Sequence, residues 1–128
     1  MLPLVHAPAW IVASVLLVLA VLYVSLAPLS VPVELPTHFD KLEHAAAYVF
    51  LAVWFTGLVA RPRYGRVAVA LVAFGLTIEF LQAAMPFGRQ GDPWDVLSNI
   101  IGIGIGVVMA RRVTGGWAQK VEAWQSQN

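Results

Sequence analysis

The sequence predicts an all-α polytopic membrane protein, with four transmembrane helices in a compact bundle and a short interfacial helix at the C-terminus. Three observations lead there. Hydrophobic residues make up 59% of the chain and charged residues 12%, where a soluble domain carries roughly 45–50% and about 25%. The apolar residues gather in runs long enough to approach the span of a hydrocarbon core of roughly 30 Å. The polar residues beside those runs recur at helical spacing. With 128 residues the chain makes one unit, residues 1–128, rather than two ordinary domains. A net charge of +1 offers no basic field for nucleic acid, and a cysteine count of zero excludes disulfides and thiolate metal sites.

The first run, residues 9–27 (AWIVASVLLVLAVLYVSLA), contains no charge. Ser25-Leu26-Ala27 has the small residues of a signal cleavage site, but no Lys or Arg precedes the run, and it exceeds the usual ~7–15 residues. A retained helix is expected, ended by Pro28, with Pro32 and Pro36 holding an extended connector. The second run, residues 42–60, is closed by Arg61-Pro62-Arg63. The third, residues 67–85, is apolar except for Thr77, Glu79 and Gln82. The fourth, residues 96–110, is shorter and ends at Arg111-Arg112. Its Gly102 and Gly106 share one helix face, the small-residue spacing that lets two backbones approach, here within the bundle. In the tail, residues 114–128, Trp117, Val121 and Trp124 fall on one face, which predicts a short helix lying along the membrane interface.

Four spans put both termini and the second loop on one side. That side holds Arg61, Arg63, Arg66, Arg111, Arg112 and Lys120; the other holds Lys41 and Arg89. The positive-inside rule then predicts cytoplasmic N- and C-termini.

The remaining polar residues converge on the opposite surface. Lys41, His44 and Tyr48 form one stripe at the start of the second helix, spaced i, i+3, i+7. Glu79 and Gln82 lie near the end of the third, Arg89 and Asp92 in the loop, and Asp95 and Asn99 at the start of the fourth. Glu79 lies roughly 9 Å inside its helix end, where a carboxylate without a partner or water costs on the order of 2–3 kcal/mol. Lys41, His44 and Arg89 are its candidate partners. Pro86, Gly88, Gly91 and Pro93 stiffen the loop around Arg89, and either Asp92 or Asp95 can cap the fourth helix. A purely structural account is that Lys41 snorkels, one aspartate caps and Arg89 pairs with Glu79. One ion pair does not need so many acids, bases and amides, so a polar pocket open outward is expected.

These residues resemble the VanZ family of small bacterial integral membrane proteins, the teicoplanin-resistance protein family. The resemblance rests on DKLEH (Asp40 to His44) with Tyr48, Glu79-x-x-Gln82, Gly88-Arg89, Asp92, Asp95, Asn99, and Gly102 with Gly106. It covers residues 38 to 110 in the family's order and spacing. Ile100 and Ile103 stand where the family often has smaller residues, a change in packing more than in chemistry. The resemblance implies the bacterial cytoplasmic membrane as location and the cell envelope as theme. It does not supply a reaction.

The first functional reading is a binding module. Lys41, His44, Tyr48, Glu79, Gln82, Arg89, Asp92, Asp95 and Asn99 would receive an anionic envelope lipid, a lipid-linked cell-wall precursor or a glycopeptide, with a contribution to teicoplanin resistance. The second is an acid–base enzyme, a hydrolase or transferase on a polyprenyl-phosphate or lipid headgroup, with His44, Glu79 and Asp95 as catalytic candidates. No nucleophile elbow, P-loop or HExxH motif is present. The third is a small transporter or proton-coupled carrier built around the intramembrane glutamate, which would need a homo-oligomer to enclose a path. His38, Asp40, His44 and Glu79 supply metal-type donors, but their spacing matches no familiar pattern. Neither a metal nor a cofactor is expected; the expected partners are membrane lipids.

Overall fold

The computed structural model describes residues 1–27, 37–85 and 92–127, with the backbone alone at Thr37 and His38. Among the described residues it is all-helical. Helix α1, Ala7–Leu26, carries Pro8 in its first turn, where the missing N–H costs nothing. It ends where Ala27 turns extended. None of its residues is buried, so it lies on the outside of the bundle. Polar contacts tie it near its middle and at its C-terminal end: Trp54 Nε1 donates to Ser14 Oγ (3.0 Å) and Gln82 Nε2 to the Ser25 carbonyl (2.8 Å).

Helix α2, Thr37–Gly57, begins earlier than the apolar run suggested. Its first two turns therefore hold Asp40, Lys41, Glu43 and His44 inside the helix. A 3-10 turn, Arg61–Arg63 with Pro62 at its start, leads into α3, Tyr64–Ala84. Helix α4, Pro93–Met109, opens with Pro93 and is capped by Asp92, whose carboxylate accepts from the Trp94 N–H. Of the two aspartates that could cap, Asp92 does so. Five residues of π-helix, Ala110–Thr114, continue α4. The chain then reverses at Gly116, whose φ of +68° suits glycine, into α5, Trp117–Gln125.

The closest pair is α2 with α4, and the glycines explain it. A Cβ on Gly102 would stand 2.2 Å from the Ala45 carbonyl oxygen, and one on Gly106 2.8 Å from that of Val49. Gly104, on the other face, has nothing within 4 Å. The two backbones meet where side chains are missing, as helices do in lipid, where packing rather than water exclusion drives association. Around this seam Tyr48, Leu51, Ala52, Leu71 and Ile103 form the buried core.

Among the described residues three helical stretches are long and apolar enough to cross a membrane: Ala7–Leu26, Arg61–Ala84 and Pro93–Thr114. The sequence led us to expect four. The difference is α2, which at 21 residues has the length but carries Asp40, Lys41 and Glu43 within its helical span. Helix α5 buries Ala118 and Glu122 and leaves Trp124, read with Trp117 and Val121 on an interfacial face, 66% exposed.

Candidate functional site

The start of α2, the end of α3 and the start of α4 meet at one end of the bundle, and each delivers polar side chains there. The ammonium of Lys41 lies between Asp92 and Asp95, hydrogen-bonded to a carboxylate oxygen of each. Asp40, one residue before it, is 3.6 Å away. These links join two helices across more than fifty residues of sequence.

His44 lies one turn deeper. Its Nδ1 is 3.2 Å from Asn99 Oδ1; with the proton on Nδ1 it donates to that oxygen, which fixes the ring. Its Nε2 then faces Asp95 at 3.7 Å and Asp40 at 3.9 Å. A base held by one neighbour with its other nitrogen toward carboxylates is a proton-handling arrangement. Glu79 approaches from α3 and accepts the backbone N–H of Asp92, tying the end of α3 to the cap of α4.

Tyr48 forms the floor. It is 4% exposed, and among the described residues its hydroxyl has no hydrogen-bond partner. Gly75 leaves room for it: a Cβ there would lie 2.8 Å from the Tyr48 hydroxyl and 3.2 Å from Asn99 Nδ2. A buried hydroxyl without a partner costs roughly 1–3 kcal/mol, so this one stands out in an otherwise bonded cluster.

Among the described residues the charges are lopsided: Asp40, Glu79, Asp92 and Asp95 lie with one lysine and one histidine. Asp92 lies outside the apolar helical stretches, and its hydrogen bond from Lys41, helped by the Trp94 N–H, holds its carboxyl below the ordinary aspartate range.

Of the residues read from the sequence, Lys41, His44, Tyr48, Glu79, Asp92, Asp95 and Asn99 come together here. Gln82 lies at the same end but turns to α1, donating to Ser25. Arg89 lies outside the described residues. Asp40, weighed in the sequence only as a metal donor, is part of the cluster. Asp40, His44 and Asp95 each offer a donor atom within 4.8 Å of the others, a different set from the His38, Asp40, His44 and Glu79 considered above. The His38 side chain lies outside the described residues. Lys41 already places its ammonium against two of the three.

The opposite end carries a second polar centre that sequence reasoning missed. Glu122 accepts from the backbone N–H groups of Val5 (2.8 Å) and His6 (2.9 Å) and from Trp10 Nε1 (2.9 Å). Burial pushes its carboxyl up, but the His6, Val5 and Trp10 donors outweigh it and leave it below the ordinary glutamate range. The clue available was that Glu122 is the one acid expected on the arginine-rich side.

A protein-family model described as VanZ/LLP1 matches residues 14–114. No curated protein and no solved structure matches the chain.

Proposed function

The chain belongs to the VanZ/LLP1 family, and from that premise and the charge balance of its polar cluster we propose that it is a membrane-embedded binding protein for a donor-rich envelope ligand. Family and apolar helices together suggest a membrane protein. In this reading α2 is the fourth span, its Lys41 neutralised by Asp92 and Asp95 at the start of α4. The cluster faces outward from the bacterial cytoplasmic membrane, with both termini cytoplasmic.

The observation that carries the reading is that Lys41 is already taken by Asp92 and Asp95, while among the described residues Tyr48 keeps an unpartnered hydroxyl beneath them. What the described residues have to spare is acceptors: Asp40, the second oxygen of Glu79 and, with the proton on Nδ1, His44 Nε2. Sugar hydroxyls, peptide N–H groups and ammonium groups suit such a surface better than a bare phosphate. Among the expected ligands, a lipid-linked cell-wall precursor or a glycopeptide therefore fits better than an anionic lipid headgroup. A contribution to glycopeptide resistance is part of this proposal.

The test is native mass spectrometry of the protein extracted with its own lipids, beside Tyr48→Phe and Asp95→Asn. A discrete bound mass, present in the parent and lost in both variants, is the expected result. A bound mass unchanged in both removes the cluster from ligand binding.

A second reading, favoured by the His44–Asn99 contact and the two carboxylates near Nε2, is acid–base catalysis on a lipid-linked substrate by His44, Asp95 and Glu79. It requires turnover that His44→Gln abolishes while binding persists. Stoichiometric binding without product would exclude it.

A further inference from the structure

Away from the polar cluster, an apolar cleft opens between α1, α2 and α3 toward the Glu122 end. Val15 and Val18 of α1, Phe55 and Leu58 of α2, and Val67 and Phe74 of α3 line it. Its volume is about 490 Å³, within the roughly 300–1,000 Å³ of small-ligand sites. The cleft exists because α1 buries no residue of its own. Its one polar side chain, Ser14, is already bonded, donating to the Trp10 carbonyl (2.8 Å) and accepting from Trp54 Nε1 (3.0 Å). The wall offers a ligand nothing but hydrocarbon contact.

The end of the cleft is different. On α3 the lining stripe of Phe74, Ala70 and Val67 continues one turn back to Arg63, and Arg66 adjoins Val67. Both arginines are exposed, and among the described residues neither side chain has a hydrogen bond or ion pair. Arg61 instead donates to the Arg111 carbonyl (3.0 Å). The acid at this end, Glu122, is held by Val5, His6 and Trp10. A hydrocarbon slot whose α3 wall is followed, within a turn, by two arginines without counter-ions among the described residues complements one chemistry, an apolar tail with an anionic head.

We infer that this cleft holds one acyl chain of an anionic phospholipid, with its phosphate on Arg63 and Arg66. The site is separate from the polar cluster and does not rest on the function proposed for that end.

The test uses the full chain in phosphatidylcholine bilayers containing a small fraction of brominated-chain phosphatidylglycerol or, in parallel, brominated-chain phosphatidylcholine. The reporter is tryptophan fluorescence, since Trp54 is bonded to Ser14 on the cleft wall. Brominated phosphatidylglycerol is expected to quench at lower mole fraction, with a preference of about fivefold for each arginine engaged. The preference is lost in the Arg63→Gln, Arg66→Gln double variant and shrinks at high salt. Ala70→Phe, which fills the cleft and leaves the arginines intact, is expected to reduce quenching by the brominated chain. Equal quenching by the two lipids, or a preference that survives the double variant, overturns the proposal. Because the chain has no cysteine, Ala70→Cys adds a further arm. A disulfide-linked dimer formed efficiently in the bilayer would give the cleft to a second copy and overturn it as well.

Discussion

The two ends of the bundle hold their polar groups in opposite ways. At the Glu122 end the acid itself is matched: one carboxylate receives three N–H groups, and Trp117 Nε1 donates to the Val53 carbonyl (3.0 Å), while the hydroxyl left without a partner among the described residues is that of Thr114, outside the acid's own contacts. Trp10, Trp54 and Trp117 close around it with ring centroids 5.2–6.1 Å apart. Gly57 makes the room, since a Cβ there would stand 1.8 Å from the Trp117 ring nitrogen. At the Lys41 end, among the described residues, acids outnumber bases, a histidine nitrogen faces carboxylates without bonding them, and a buried hydroxyl within the cluster goes unmatched. A satisfied buried acid is a fastener. An unevenly satisfied cluster costs stability that a fastener would not, which is why the Lys41 end is the candidate site.

The comparison can be broken, and the largest effect comes first. Gly102→Leu drives a side chain into the Ala45 carbonyl on the seam that supports both ends. Its cost is expected at or above the roughly 1–3 kcal/mol of ordinary overpacking, read as a large fall in Tm in detergent. If Tm is unchanged, the α2–α4 seam does not carry the bundle. Trp117→Ala opens the aromatic end alone, at up to about 3 kcal/mol, the low end of the range for a truncated core tryptophan. It is expected to free α5 to proteolysis while leaving ligand binding at the Lys41 end intact. Loss of that binding would mean the two ends are not separate.

Acid gives a smaller and directional effect. Glu122 has a lowered folded pKa, so the stability it contributes is complete above the ordinary glutamate range. That stability is lost as pH falls through the lowered value. Glu122→Gln is therefore expected to flatten the acid limb of a Tm–pH curve measured on the parent. An identical limb in the variant would place the acid sensitivity elsewhere, with Asp92 next in line, since its folded pKa is lowered too.

The smallest change sharpens the contrast most. Tyr48→Phe removes a hydroxyl with no partner among the described residues and is expected to leave stability unchanged or raise it by up to about 1 kcal/mol, read as an equal or higher Tm, while weakening the bound mass. A destabilisation as large as that of Trp117→Ala would show that the hydroxyl is bonded in the folded protein, and would remove the strongest sign of a vacant acceptor or donor.

Part of this was legible in the sequence because helical period and apolar run length are local. Lys41, His44 and Tyr48 share a stripe whatever they face, and alternating helices bring the start of α2, the end of α3 and the start of α4 together. The small-residue spacing of Gly102 and Gly106 announced a close approach, although not that α2 was its partner. Asp92 and Asp95 fit a cap equally well on paper, and only the backbone turn at Asp92 decides between them. Glu122 was opaque because its partners lie 112 to 117 positions earlier and two of them are backbone N–H groups, which no residue type advertises. The start of α2 lies at Thr37, earlier than an apolar run begun at residue 42 suggests, because Asp40 and Lys41 interrupt that run while Lys41 finds its counter-ions on distant α4, in Asp92 and Asp95.

That long-range neutralisation has a consequence for how the chain is made. A nascent chain releases its helices in order, and α1, free of charge and of buried residues, is at home in lipid as soon as it emerges. Helix α2 is not. Its ammonium meets the carboxylates of Asp92 and Asp95 only after some fifty further residues have been synthesised. Until then its first turns belong at the water boundary. The bundle is therefore expected to reach its final depth late in synthesis, with α2 settling when α4 arrives, so that a chain cut before α4 keeps α1 anchored and leaves α2 unfinished.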